Sequence, residues 1–307
     1  MNPFHDVHIH NYLSTCSGDN QATVENYIAA AKAQGLSLMG FANHVWDESI
    51  PFPARSGFYA KQSMAYQMQI KSQIPKDAGI KILLGMETEY CGMYDVLGMG
   101  KEAALQLDFL LIPHTHVHMR DFVMPMFDDV REAKSKLRQK LLAIPGIQES
   151  YVDDMVKRVP EADLEPYMPE QRVDRVGFVA DFMVNSFRTL MHNETLKSYS
   201  DLIPVSIAHP FQPVNQPNRA DMMKRISDDT FGELFSITAA RGIGLEINPY
   251  TSEDDFRMFH IAKECGCRFT LGSDTHSRGG FKDIQKTQEL TDRLGLTEYD
   301  MMDFTRI

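Results

Sequence analysis

Seven short apolar runs interleaved with helical patterns constrain this chain more than any other feature. They lie at Asp6–Ile9, Leu38–Ala42, Lys81–Met86, Phe109–Ile112, Val205–Ala208, Ile243–Ile247 and Phe269–Leu271. Strands separated by helix-length segments pair in parallel, because a parallel neighbour is reached only by a long crossover. Seven such units in 307 residues predict an α/β fold whose sheet closes, or nearly closes, into a barrel one unit short of the eightfold form.

Helix boundary signals support the same division. Thr23 is placed to cap "VENYIAAAKAQ", which stops at Gly35, and Ser252 with Asp255 forms a capping-box pattern ahead of "EDDFRMFHIAKEC". The rhythm breaks once. From residue 118 to about residue 200 there is no strand signal, only three helical stretches: "DVREAKSKLRQKLLAIPGI", "QESYVDDMVKRV" and "RVDRVGFVADFMVNSFRTLMHNETLKSY". This is too long for a loop. The expectation is one barrel domain over 1–307 with a helical insertion at 118–200, acting as a cap or lid, or as a dimerisation arm of a homo-oligomer.

Charge and targeting signals narrow the setting. The net charge is −11, which gives no general attraction for nucleic acid or an anionic membrane. The start, "MNPFHDVHIH", lacks a basic stretch followed by an apolar run, and no apolar stretch is long enough to span a bilayer. Four cysteines, Cys16, Cys91, Cys265 and Cys267, are too few for a disulfide framework. A cytoplasmic protein is expected.

The residues at the strand ends point to chemistry. The first run ends in His8 and His10, the second in His44, the third in Glu87. The fourth is followed by His114, His116 and His118, the fifth by His209, the sixth by Asn248, and the seventh by Asp274 and His276. Residues two apart on a strand share a face, so His8 and His10 can reach one centre. In a parallel barrel the carboxyl ends of all strands converge on one rim. Imidazoles and carboxylates are ligands for zinc, iron or manganese. One such residue alone is more readily a structural hydrogen-bonding group; the joint pattern carries the inference. His5, His192 and His260 fall outside it and read as structural.

The motifs "DVHIH", "FANH", "GMETEY", "IAHP" and "GSDTH" resemble, in order, those of the polymerase-and-histidinol-phosphatase (PHP) family of metal-dependent phosphoesterases. The resemblance covers both ends of the chain and leaves the insertion uncovered. It implies a distorted (β/α)7 TIM-like barrel with two or three divalent ions (Zn, Mn or Fe) at its rim. The first ion would take His8, His10, Glu87 and Asp274. The second would take Glu87, His209 and either His116 or His114. The third would take His44, His276 and a residue of the loop "NYLSTCSGDN", Asp19 or Cys16.

Implied with the family is hydrolysis of a small phosphate monoester by hydroxide bridging two cations, since metal binding lowers the pKa of water toward about 7. Glu87, Asp274 and His276 would serve the reaction, with Asp274 or His276 also assisting proton transfer. Arg55, Arg120 and Arg278 are candidate phosphate clamps. Histidinol phosphate is the family's obvious substrate. Two alternatives stand beside this reading: an amide-cleaving C–N hydrolase, which usually carries a lysine ligand that no strand here supplies, and a catalytically silent metal-binding regulatory module.

Overall fold

The structure, a computed structural model, describes residues 4–304 apart from Asn215 and Pro217. Its strands in chain order are β1 (His5–Ile9), β2 (Leu38–Val45), β3 (Lys81–Thr88), β4 (Tyr90–Cys91), β5 (Val96–Leu97), β6 (Phe109–Pro113), β7 (Val205–Ala208), β8 (Gly244–Ile247) and β9 (Arg268–Leu271). All seven expected strands are among them and pair in parallel in the order β1-β2-β3-β6-β7-β8-β9. The other two, β4 and β5, form a short antiparallel ribbon after β3. It has no periodic signature because it is only two residues long on each side.

The sheet curls into a nearly closed barrel, and its seam is unusual. Between β1 and β9 the backbone contributes an isolated bridge, Ile9 to Thr275, and the bond from His10 N–H to the Thr275 carbonyl at 2.9 Å. Side chains do the rest. His5 Nε2 accepts the Leu271 N–H at 3.0 Å, and Asp6 Oδ1 accepts those of Ser273 (3.0 Å) and His8 (3.1 Å). These bonds satisfy strand-edge donors that would otherwise be buried without partners. Burial pushes the Asp6 carboxyl up to about 7, with the Ser273 and His8 bonds working against that rise.

The barrel interior is a small apolar cluster of Val7, Ala42, Leu83, Phe109, Leu111, Ala208 and Phe304. Phe109 fills its middle. A Cβ on Gly85 would fall 2.3 Å from that ring, so glycine there makes room for the aromatic side chain. The larger core lies outside the strands, between sheet and helices, and includes Ile9. Val7 and Ile9 would share a face on a regular strand. They pack on opposite sides because the β1–β2 register slips between Asp6 and Ile9.

The expected caps are present: Thr23 accepts the Asn26 N–H at 3.2 Å, and Ser252 with Asp255 forms its capping box. The segment 118–200 is helical over Asp128–Leu142, Glu149–Arg158, Glu161–Tyr167, Arg175–His192 and Glu194–Ser200. The last stretch, expected as one helix, is two. Asn193 takes extended backbone (ψ 124°) and accepts the Leu196 N–H at 3.0 Å, ending one helix and capping the next. Helix 175–192 packs against helices 219–225 and 228–240 of the barrel's outer layer, so it is part of the β6–β7 crossover. Helix 128–142 packs instead on 149–158 and 161–167. Among the described residues no helix is long and apolar enough to cross a membrane.

Candidate metal centre

The β2–β3 register sets His44 directly beside Glu87, and the other strand ends bring their ligands to the same spot. Glu87 is the hub. Its Oε2 lies 3.0 Å from His44 Nδ1, 3.3 Å from His8 Nε2 and 3.4 Å from His10 Nε2, while Oε1 lies 3.3 Å from His209 Nε2. Asp274 Oδ1 stands 3.5 Å from His8 Nε2 and 3.4 Å from His10 Nε2, and those two nitrogens face each other at 3.1 Å. Three groups of ligand atoms emerge, each within 4.8 Å: His8, His10 and Asp274; Glu87, His116 and His209; and His10, Cys16, His44 and His276.

Two observations test whether these residues suit cations. Glu87 Oε2 and His44 Nδ1 are buried yet make no hydrogen bond, so their approach at 3.0 Å leaves both atoms unsatisfied. Buried polar atoms without partners are costly, and a cation would satisfy them. The second is the outer ring of bonds. His8 Nδ1 meets Glu246 Oε1 at 2.6 Å, His116 Nδ1 meets Glu89 Oε2 at 2.7 Å, and His276 Nδ1 meets the Asp274 carbonyl at 2.9 Å. An oxygen of this kind takes the Nδ1 proton and turns Nε2 inward as a lone pair, the usual arrangement behind a metal-ligating histidine. The donor set fits divalent transition metals.

Electrostatics agree. Burial alone would lower the His8 pKa, but Glu246, Glu87 and Asp274 hold it well above the usual histidine range. His44 is likewise raised to about 9 against its burial, chiefly by Glu87. Burial opposes ionisation of Glu87, yet His44 and His8 keep its carboxyl well below the usual range. Cys16 falls to about 3, burial being outweighed by His10. A place that concentrates negative charge enough to retain these protons will also retain cations, which displace them.

Local backbone strain aims two of the ligands. His209 (φ 31°) and Asp274 (φ 50°) occupy left-handed conformations that non-glycine residues rarely adopt. Gly272 makes room for the Glu246–His8 pair: a Cβ there would stand 2.1 Å from Glu246 Oε1 and 2.5 Å from His8 Cβ.

The fold separates the candidates that sequence left open. His116 joins Glu87 and His209, whereas His114 turns into the core, accepts the Phe211 N–H at 3.1 Å and lies edge-on to Phe187 and Phe211. Burial pushes its pKa down to about 3. Cys16 joins the third group; the Asp19 carboxylate is bonded to the backbone N–H groups of Gln21 (2.8 Å) and Arg278 (2.9 Å) and lies outside all three groups. Asn248 bonds to Gln212 and Tyr250 and supports the loop.

A cavity of about 310 Å³ opens over the centre, lined by Cys16, His44, Glu87, His116, His209, Asp274 and His276, with Phe58, His118, Met119 and Val214 at its sides. Of the segment 118–200, only His118 and Met119 reach it, and none of Arg55, Arg120 and Arg278 lines it. Arg55 and Arg278 are exposed; Arg120 stacks 4.3 Å over Phe127 and donates to Met124 Sδ.

Sequence reasoning passed over Glu246, Glu89 and Asp6, which orient the ligands. A signal existed: Glu246 is a carboxylate inside an apolar run, and an acid buried in a strand needs a partner. Glu89 lies two residues past Glu87 on the same face.

In fold the chain is similar to a histidinol phosphate phosphatase from Lactococcus lactis subsp. lactis, solved with zinc, L-histidinol and phosphate (TM-score 0.53, 16% identity, 98% of this chain and 99% of that chain). Weaker likenesses include the catalytic domain of a β-amylase from Paenibacillus polymyxa (TM-score 0.36, 9% identity, 94% and 90% covered) and an HpcH/HpaI aldolase from Desulfitobacterium hafniense (TM-score 0.33, 10% identity, 97% and 95% covered). No protein of curated function matches the sequence. The PHP domain family matches residues 6–250, a span that carries His8 through His209, and with the ligand groups assembled at one rim the chain belongs to that family.

Proposed function

We propose that this protein is a metal-dependent phosphoesterase that hydrolyses a small phosphate monoester, with histidinol phosphate the first compound to test. The observation that carries the reading is Glu87 Oε2, buried, without a hydrogen bond, and within 3.4 Å of imidazole nitrogens from three histidines. Two or three divalent ions (Zn, Mn or Fe) held there would neutralise phosphoryl charge and make water a usable nucleophile near neutral pH.

The chain's own residues divide the remaining work. Glu87, His116, His209 and Asp274 line the cavity, and the buried His8 and His10 bring their Nε2 atoms against Glu87 and Asp274. Glu246 and Glu89 hold His8 and His116 in the ligating orientation. Phe58, Met119 and Val214 contribute apolar surface to the cavity wall, and a volume of about 310 Å³ suits a small ester. His118 lines the cavity but belongs to none of the three groups; burial pushes its pKa down to about 4, so it stands neutral and offers a hydrogen-bonding nitrogen to substrate or water. Among the described residues no guanidinium lines the cavity, so Arg55, Arg120 or Arg278 would reach a phosphate only if their loops closed on it.

The test is direct. Protein purified with zinc or manganese should contain at least two equivalents of transition metal and hydrolyse p-nitrophenyl phosphate, and a chelator should abolish the hydrolysis. Absence of chelator-sensitive turnover across a panel of phosphomonoesters and phosphodiesters would defeat the proposal.

A further inference from the structure

The third ligand group differs in chemistry from the other two. His8, His10 and Asp274, like Glu87, His116 and His209, offer only nitrogen and oxygen; His10, Cys16, His44 and His276 add a sulfur. Ligand atoms about 2.0–2.3 Å from a tetrahedral zinc stand roughly 3.5 Å from one another, and all four atoms of this group lie within 4.8 Å of one another. Two of its histidines, His10 and His44, are almost wholly buried, and His44 Nδ1, which faces Glu87 at 3.0 Å, makes no hydrogen bond.

The loop that carries Cys16 is built to hold it there. Ser17 Oγ donates to the His276 carbonyl at 2.8 Å, and Asp19 Oδ2 accepts the Arg278 N–H, so the loop is latched on both sides of Cys16's partner segment. On its other flank Gln62 Oε1 accepts the Thr15 N–H at 3.3 Å and the Ser14 hydroxyl at 3.2 Å. The nearest acid of the loop, Asp19, already accepts from two backbone N–H groups. The sulfur is therefore the ligand atom that the loop delivers to the rim.

We propose that Cys16 is a thiolate ligand to a cation held with His44 and His276, giving this centre one soft, zinc-selecting position beside two built from imidazole and carboxylate. Thiolate favours zinc over manganese or magnesium, which prefer oxygen. The proposal rests on the metal-dependent reading above and deepens it.

Cobalt(II) replaces zinc and reports on its ligands by absorption. Cobalt-loaded wild type should show a near-ultraviolet thiolate-to-cobalt charge-transfer band. Cys16→Ser, checked for folding by circular dichroism, should lose that band together with roughly one equivalent of bound metal. Cys16→His should keep the full metal complement and still lack the band, which makes the test independent of whether the serine variant folds. Wild type that binds cobalt without the band, or a band that survives in both variants, overturns the Cys16 assignment and leaves the metal-dependent reading standing. Wild type that binds no transition metal overturns both.

Discussion

The interior and the rim of this barrel are made from the same strands, a few residues apart, and they solve opposite problems. Inside, Val7, Ala42, Leu83 and Phe109 are buried against one another and need no further partner. One to four residues on, His8, His44 and Glu87 are as thoroughly buried, yet the rim they build leaves nitrogens and a carboxylate oxygen without hydrogen-bond partners. Apolar packing is self-sufficient because its contacts are non-directional. A buried cluster of ligands is incomplete by construction, and cations supply what is missing. The interior should therefore govern stability, and the rim metal content and turnover.

Substitutions can break that division. The largest effect is expected for Glu87→Gln at the rim: loss of bound metal from more than one position and a fall of hydrolysis to background, equivalent to several kcal/mol of transition-state stabilisation, with an unfolding midpoint near that of metal-free wild type. Elemental analysis with kcat/KM measures it; activity within about tenfold of wild type, or roughly 1.4 kcal/mol, would remove Glu87 from its central place. Phe109→Ala should do the reverse. Emptying the barrel's middle should cost about 3–5 kcal/mol in denaturant unfolding, while metal content per folded molecule stays unchanged.

A smaller effect is expected just behind the rim. Glu246→Gln keeps an acceptor for His8 but removes its charge, so metal affinity or turnover should fall about 10–100-fold. Gly272→Ala should act in the same direction, because its methyl would press on Glu246 and His8. Metal competition with a chromophoric chelator would separate either outcome from simple unfolding.

A separate effect, visible only as pH is varied, belongs to the seam. Asp6 has its pKa raised to about 7 in the folded protein against an ordinary value of 3.8. Between those values the folded state keeps a proton that the unfolded chain has shed. The stabilising contribution is full below about pH 4 and is lost as pH rises through about 7. In metal-free protein, Asp6→Asn should flatten that decline, which urea unfolding at several pH values would detect. An identical slope in both proteins would show that the Asp6 carboxyl ionises freely in the fold.

Much of this is legible in the sequence where the signal is local. All seven strands and the caps at Thr23 and Ser252 follow from periodicity and hydrogen-bonding residue types. His8, His10, His44, Glu87, His209, Asp274 and His276 stand where strand ends meet, and the barrel brings them together. The break at Asn193 is hidden because asparagine within a helical pattern is compatible with either outcome until neighbours decide. The roles of Glu246 and Glu89 are hidden because each is defined by a histidine on a different strand or loop.

Sequence alone determined the kinds of element, their order, and that ligand-type side chains end successive strands, since periods of 2 and 3.6 residues and capping chemistry act over a few positions. Only the tertiary structure decided between nearby candidates: His116 at the rim with His114 in the core, Cys16 in the cluster with Asp19 latched to Arg278, Glu246 behind His8. Those choices turn on a register slip in β1, on left-handed backbone at His209 and Asp274, and on a loop fastened to residues more than 200 positions away. Each is set by contacts between distant segments, which no local pattern encodes.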